Sequence, residues 1–393
     1  VLRRVLLIHT DGNTFNNPTL KSLLDLLLSN LVAIDIKYPS SRAPMPAACG
    51  IGLRPWGKIR GEIKNIINDR LCSWYFSRLF FRLEHFFFNV PRYDLVIAVD
   101  RLGLIEAAHL KAIYGFPFVL FSFEIMFESE SSRRFKALER IASIGANHWF
   151  VQDPLRAACL SEENGLSLAR ASLIPLASSG EGYPGGRRMR DSIGVPKNSK
   201  VAILIGSLES WTQAFELIKC AIDWPQDWAL IVHERYGATS SLIRKYFGNN
   251  FFSGNIQKVY FSDHATVMVD DLDFILSGIS VGLAFYKPMH GSRYTGKNIS
   301  NIGLASGKIA SYLRYGIPVI MNKIGLYSEL AERHDFGSVV TDPSAVKDVL
   351  ASEHWENKGV NARNFFLNNL DFRLYQKMIW ENLSRCADES REA

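Results

Sequence analysis

The chain has 393 residues, 47% of them hydrophobic, enough to bury two sizeable cores, and two α/β domains are predicted. Lysine and arginine exceed the acids by 45 − 39 = 6, which suits an anionic small molecule or an acidic membrane surface and is too mild an excess to argue for DNA or RNA. No apolar run of about 18 residues is present, the cysteines (Cys49, Cys72, Cys159, Cys220, Cys386) lack the paired spacing of a zinc site or disulfide framework, and the amino-terminal segment enters a strand without a cleavable signal pattern, so a soluble, cytoplasmic protein is expected.

Val5-Leu6-Leu7-Ile8-His9 reads as a buried first strand that ends in the turn Thr10-Asp11-Gly12-Asn13-Thr14, and Leu20 to Leu28 as a helix. The turn lacks the spacing of a G-x-G-x-x-G dinucleotide loop, and Asp11-Gly12 also serves as an ordinary turn pair. From Arg54 to Tyr93 the composition changes. Arg54, Trp56, Lys58, Arg60, Lys64 and Arg70 lead into Trp74-Tyr75-Phe76-Ser77-Arg78-Leu79-Phe80-Phe81-Arg82 and then Phe86-Phe87-Phe88. Cations interleaved with aromatics on helices suit contact with an anionic membrane; the same residues also suit a buried core with solvated arginines outside.

Tyr93 to Asp100 is a second buried strand, Leu104 to Tyr114 a helix, and Gly115 to Phe121 the next strand. Strand, helix, strand in this order implies a parallel sheet, whose ligands gather at the carboxyl ends of the strands. Asp100 and Glu124 lie at such ends as candidate catalytic acids or as simple caps and surface partners. A helix over 138–146 and a strand over 148–151 follow, and then Ser178-Ser179-Gly180-Glu181-Gly182-Tyr183-Pro184-Gly185-Gly186, read as the hinge.

The second domain opens with the strand 200–208, which turns at Gly206-Ser207; further strands are read at 228–233, 258–262 and 281–285. The glycine-punctuated loop Lys287 to Asn298 carries Arg293 and Lys297, either as phosphate-neutralising cations or as a solvated basic loop. Gly303 to Asn322 is a loop of small residues, a helix, a glycine stop at Gly316 and a buried strand. Backbone N–H groups at such a helix start favour a phosphate, and Lys308 adds a mobile charge there; an ordinary αβ unit would have the same pattern. Residues 365–384 read as a long helix and Arg385 onward as a polar tail.

Gly307-Lys308-Ile309-Ala310-Ser311-Tyr312-Leu313-Arg314-Tyr315-Gly316-Ile317-Pro318-Val319-Ile320 resembles the K-hydrophobic-x-E-Y-L-x-x-G-x-P-V-I segment of the group 1 nucleotide-sugar glycosyltransferases, and loosely the resemblance covers most of the chain. It implies the GT-B fold, two Rossmann-like domains facing each other across a cleft: 1–178 for the acceptor, 187–364 for the nucleotide sugar, and a helix over 365–393 that crosses back. By the same resemblance Asp11, Gly12 and Asn13 face the cleft, Phe261 and Ser262 touch the base, Ser122-Phe123-Glu124-Ile125 corresponds to an S-H-E-L segment, and Gly206, Ser207, Ser306, Gly307, Lys308, Ile309, Ser311 and Tyr312 surround the donor. The chain departs from the pattern at Ser311 and Gly303, where the family has glutamates, and at Ser207, where its basic clamp begins.

The expected activity is transfer of a hexose-like sugar from a nucleotide-diphosphate sugar to a glycan or lipid-linked glycan acceptor. No separate cofactor and no metal are expected, and retention of configuration is implied by the resemblance. The expected location is cytoplasmic or peripheral at the inner face of the membrane, with no nucleic-acid partner. A sugar-nucleotide epimerase and a catalytically silent binding protein of the same fold remain alternatives.

Overall fold

The computed structural model describes residues 2–10, 12–39, 49–56, 58–87, 90–183, 186–248, 258–352 and 354–392, with 58–59, 85–87 and 390–392 described by backbone alone. Two parallel sheets organise the chain. The first contains β1 (Arg4–Ile8), β2 (Ala33–Pro39), β3 (Ile51–Trp56), β4 (Leu95–Val99), β5 (Phe118–Phe121), β6 (His148–Val151) and β7 (Ala171–Leu173), in the order β3-β2-β1-β4-β5-β6-β7. The second contains β8 (Lys200–Ile205), β9 (Trp228–His233), β10 (Val259–Ser262), β11 (Val281–Ala284), β12 (Val319–Asn322) and β13 (Gly337–Val340), in the order β10-β9-β8-β11-β12-β13. Central strands such as β4 and β9 are buried along their whole length because helices cover both faces, which is why they read as unbroken apolar runs.

β2 and β3 escaped the sequence reading for a physical reason. In β2 Ile34, Ile36 and Tyr38 alternate with Asp35 and Lys37, and both charged residues are buried. Asp35 accepts from Tyr93 Oη at 2.8 Å and pairs with Arg4 at 2.9 Å and Arg54 at 3.1 Å. Lys37 pairs with Glu106, a fully buried carboxylate that also binds Lys64, while Arg60 pairs with Glu84. Burial would raise the Glu106 carboxyl, but the two lysine ammonium groups outweigh it and hold it well below the usual carboxylate range. Arg54, Arg60 and Lys64, expected to face lipid or water, are thus engaged with buried acids. β3 lies at the sheet edge, where Pro55 is tolerated.

The long helix expected over 365–384 is interrupted. Trp355–Phe365 packs on the second domain, a π-helical turn (Phe366–Leu370) and a 3-10 turn (Phe372–Leu374) follow, and Gln376–Glu392 lies on the first domain. There Ile379, Leu383, Cys386 and Ala387 join the core formed by Leu7, Ile97, Val99 and Phe121. The polar tail expected from Arg385 is therefore helical. The start of the linker is tied to both domains: Ser179 N donates to Ser22 Oγ at 2.9 Å, Gly180 N to Asp371 Oδ1 at 3.0 Å, and Arg314 Nε to Gly180 O at 3.0 Å.

Candidate active site

In both sheets the strand order reverses beside the first strand of the domain, between β1 and β4 and between β8 and β11. Side chains and loops diverge at such points and leave a crevice at the carboxyl ends of the strands. The two crevices face each other and enclose a cavity of about 320 Å³, with His9 and Asp100 on one wall and Gly206 and Tyr286 on the other.

On the second-domain wall β8 ends at Gly206, whose φ of +100° suits glycine. The Lys308 chain crosses this turn: its Cε lies 3.5 Å from where a β-carbon on residue 206 would stand. Ser306 caps the helix Gly307–Arg314, its Oγ accepting from Ile309 N at 3.3 Å, and also bonds the Tyr286 hydroxyl. The Tyr286 backbone is fixed in turn by Asn322, which accepts from Tyr286 N at 2.9 Å and donates to Tyr286 O at 2.8 Å. Lys308 Nζ is buried without a hydrogen-bond partner, 5.5 Å from the Tyr286 ring centroid. Burial, and next the Arg235 guanidinium, lower its pKa to about 7. Arg235 follows β9 on a loop held by Glu234, whose Oε2 accepts from Tyr236 N at 2.8 Å and Ala238 N at 3.1 Å. Two cations and a helix start thus converge on one wall, the electrostatics of an anion site.

On the first-domain wall Asp100 holds a φ of +52°, a strained conformation for a non-glycine residue. Its Oδ1 accepts from Phe123 N at 2.6 Å and Glu124 N at 2.9 Å, so it moulds the loop after β5. Glu124 accepts from Asn298 Nδ2 of the opposite domain. Arg156, fully buried, donates to Gln152 Oε1 at 2.7 Å, Phe123 O at 2.6 Å and, across the cleft, Asn301 O at 3.0 Å. His9 Nδ1 lies 2.8 Å from Thr14 Oγ1, and Asn16 Nδ2 donates to Thr266 O at 2.6 Å, joining the two domains.

The cavity brings together Asn13, Asp100, Glu124, Gly206, Ser207, Ser306, Gly307, Lys308 and Ser311, all named from the sequence. Others belong elsewhere. Tyr312 is fully buried and its hydroxyl binds the backbone of Ile203, Ile205 and Leu283, so it pins the helix to the sheet; Ile309 lies in the same core. Ser262 is buried against His233 Nδ1 at 3.1 Å, and Phe261 packs on the core around Val232 and Ile243; neither is among the described residues lining the cavity.

Arg293 and Lys297 are exposed outside the cavity, Arg293 Cζ lying 4.7 Å from the Phe135 ring centroid and Lys297 Nζ 5.8 Å from that of Phe127. Their segment straps the two domains together: Gly291 N and Lys297 N donate to Glu130 at 3.2 and 2.7 Å. Gly12 is a buried turn residue with φ +73°, and Asp11 lies outside the described residues.

Arg235, Arg156 and Tyr286 were missed by the sequence reading; a base just past the carboxyl end of β9 was the available signal for Arg235. Among the described residues no cluster of three or more His, Cys, Asp or Glu is arranged to hold a metal ion, and no helix is long and apolar enough to cross a membrane.

No protein-family model matches the chain, and no curated protein matches its sequence. Solved structures do match over nearly the whole length. Anabaena HepE, solved with UDP and glucose, superposes with a TM-score of 0.68 at 14% identity, covering 98% of this chain and 100% of its own. Sucrose-phosphate synthase from Thermosynechococcus elongatus gives 0.66 at 12% identity, covering 96% of this chain and 98% of its own. α,α-Trehalose 6-phosphate synthase from Burkholderia multivorans gives 0.63 at 12% identity, covering 99% and 100%. Two facing parallel α/β domains, joined as in these structures, give this chain the GT-B fold.

Proposed function

We propose that the chain is a glycosyltransferase that takes a sugar from a nucleotide-diphosphate sugar bound against the second domain and passes it to a hydroxyl presented from the first. The observation that carries this reading is the buried, unpartnered Lys308 ammonium beside Arg235 at the start of the Gly307–Arg314 helix, inside the interdomain cavity. A buried charge without a partner is costly, and a diphosphate is the ligand whose charge and size match two cations and a helix start. HepE, of the same fold, has been solved with UDP-glucose, at a TM-score of 0.67 and 14% identity.

In the reaction the bond from the anomeric carbon to the β-phosphate oxygen breaks, its electron pair staying on the phosphate. The acceptor oxygen forms the new bond to that carbon, and its proton passes to the departing phosphate on the same face, so configuration is retained. Lys308, Arg235 and the helix-start amides stabilise the charge that develops on the phosphate, in place of a metal ion. Glu124 accepts a hydrogen bond from the acceptor hydroxyl and orients it, while Asp100 holds the Glu124 loop.

The acceptor is a glycan or lipid-linked glycan met at an anionic membrane surface. On the helix Trp74–Phe87 Tyr75 is 71% and Phe76 50% exposed, with Leu79 and Leu83 also exposed and Arg78 and Arg82 between them. Apolar side chains to insert and arginines to meet headgroups fit an anionic bilayer. The side chains of Phe86 and Phe87, and Phe88 altogether, lie outside the described residues.

Calorimetric titration with nucleoside diphosphates tests the reading first: wild type binds one of them and Lys308→Ala loses at least about tenfold in affinity. Binding unchanged by the substitution would remove the proposed site. NMR of the product anomer, with EDTA present, then reads transfer, stereochemistry and metal dependence together. Conversion of donor without acceptor would instead mark an epimerase. Sedimentation with phosphatidylglycerol vesicles, lost in Phe76→Glu and absent with phosphatidylcholine alone, tests the membrane contact.

A further inference from the structure

The Glu124 carboxylate is held by a residue of the opposite domain. Asn298, on the short helix Lys297–Ser300, is 4% exposed and reaches across the cleft with both ends of its amide. Its Oδ1 accepts from Ile125 N at 3.0 Å and from Arg156 Nη2 at 3.3 Å, and its Nδ2 donates to Glu124 Oε2 and, at 3.1 Å, to Tyr294 O within its own strap. The strap is anchored to the first domain on either side of Asn298. Before it, Glu130 takes Gly291 N and Lys297 N; beyond it, Arg156 Nη1 reaches Asn301 O at 3.0 Å and Asp153 Oδ2 accepts from Leu304 N at 2.8 Å. Apart from the Tyr294 contact, each of these bonds joins residues 291–304 of the second domain to 124–156 of the first.

Two domains with a ligand cleft between them open and close about their linker in many proteins. Any opening that lifts the strap takes Asn298 away from Glu124 and Ile125 together, so the loop carrying Glu124 loses its lateral support when the cleft opens. Resting on the transferase reading above, we propose that Asn298 is a positioning residue for Glu124. It delivers a fixed hydrogen-bond donor from the donor-binding domain to the carboxylate that orients the acceptor hydroxyl, so that the acceptor is aligned only in the closed molecule. Asn298 touches neither the reacting carbon nor the phosphate in this assignment and acts through Glu124.

The test is a double-mutant cycle on the full chain, with kcat for transfer and the dissociation constant of the nucleoside diphosphate measured for wild type, Asn298→Asp, Glu124→Gln and the double variant. Asn298→Asp keeps an oxygen for Ile125 N and Arg156 and removes only the donor that faces Glu124 and Tyr294 O, whereas Asn298→Ala would orphan Ile125 N and Arg156 as well; a thermal melt reads whether the fold is kept. Asn298→Asp is expected to lower kcat by about tenfold or more while the diphosphate dissociation constant stays within about twofold. The double variant is expected to be no slower than Glu124→Gln alone. An unchanged kcat in Asn298→Asp, or a double variant slowed by the product of the two single effects, overturns the positioning role and leaves the transferase reading intact. Wild-type protein that binds the diphosphate yet transfers no sugar overturns the reading, and this inference with it.

Discussion

Asp153 and Gly303 meet across the cleft so closely that a β-carbon at 303 would stand 1.9 Å from Asp153 Oδ2. The same carboxylate caps its own helix, accepting from Arg156 N at 3.0 Å, and bonds Leu304 N, so it cannot retreat without giving up an interdomain bond. Gly303 also has φ +50°. Gly303→Ala therefore combines left-handed strain of about 1–2 kcal/mol with a collision. A melting temperature lower by at least about 2–4 °C is expected, the shift that about 1 kcal/mol produces in a domain of this size. Adding Asp153→Ala to Gly303→Ala should remove the collision part and leave the strain, which a comparison of the four melting curves would read.

Lys308 makes donor binding depend on pH in a calculable direction. With a pKa near 7 in the free protein, the ammonium is present below that pH and lost above it. A bound diphosphate favours the charged form and raises the pKa, so binding above pH 7 takes up a proton. Affinity for a nucleotide sugar, whose diphosphate diester does not titrate between pH 6 and 9, should be level below about pH 7 and weaken by up to about tenfold per pH unit above it. Lys308→Met should bind weakly and lose the slope.

The same lysine has the opposite effect on the empty protein. Its pKa is lowered on folding, so the unfolded chain holds more protons between about pH 7 and 10.5. In that window this group makes ligand-free stability rise with pH. Denaturant titrations at pH 7 and 9 should show a smaller increase for Lys308→Met than for wild type.

Arg235→Ala should weaken diphosphate binding by about ten- to a hundredfold, the range for a charge-assisted bond of 1.5–3 kcal/mol. Because Arg235 also helps depress Lys308, its removal should move the midpoint of the affinity profile to higher pH. A parallel displacement without that movement would place Arg235 away from Lys308.

Tyr312→Phe separates a core role from a ligand role. The hydroxyl serves the backbone of Ile203, Ile205 and Leu283, so its loss should cost about 1–3 kcal/mol of stability and leave donor affinity within about twofold of wild type. Tyr312 also needs Gly282: a β-carbon there would fall 2.3 Å from the ring. Gly282→Ala should be more disruptive than Tyr312→Phe in the same melt.

The central strands were legible because a strand buried on both faces leaves no choice but an apolar run, as in Leu95–Val99. β2 was not, because one of its two buried faces is built from Asp35 and Lys37 and becomes tolerable only through partners far along the chain, Tyr93 and Glu106. The site divides in the same way. Gly206, Ser306 and Lys308 announce themselves through a turn, a cap and a charge within one short stretch. Asn298, Arg156 and Asp153 act across the cleft on groups more than a hundred residues away, and no local pattern encodes such a meeting. Arg293 and Lys297 look like phosphate ligands for the converse reason: charge is visible in a sequence, and the side of a loop it occupies is not.

The helix Gln376–Glu392 seals the hydrophobic face of a sheet whose first strand begins at Arg4. During synthesis that face stays uncovered until residues 376–392 have left the ribosome, so the first sheet, though made before the second, is finished after it. A nascent chain halted before Ile379 should engage chaperones through Leu7, Ile97 and Val99, and those contacts should vanish once Ala387 emerges.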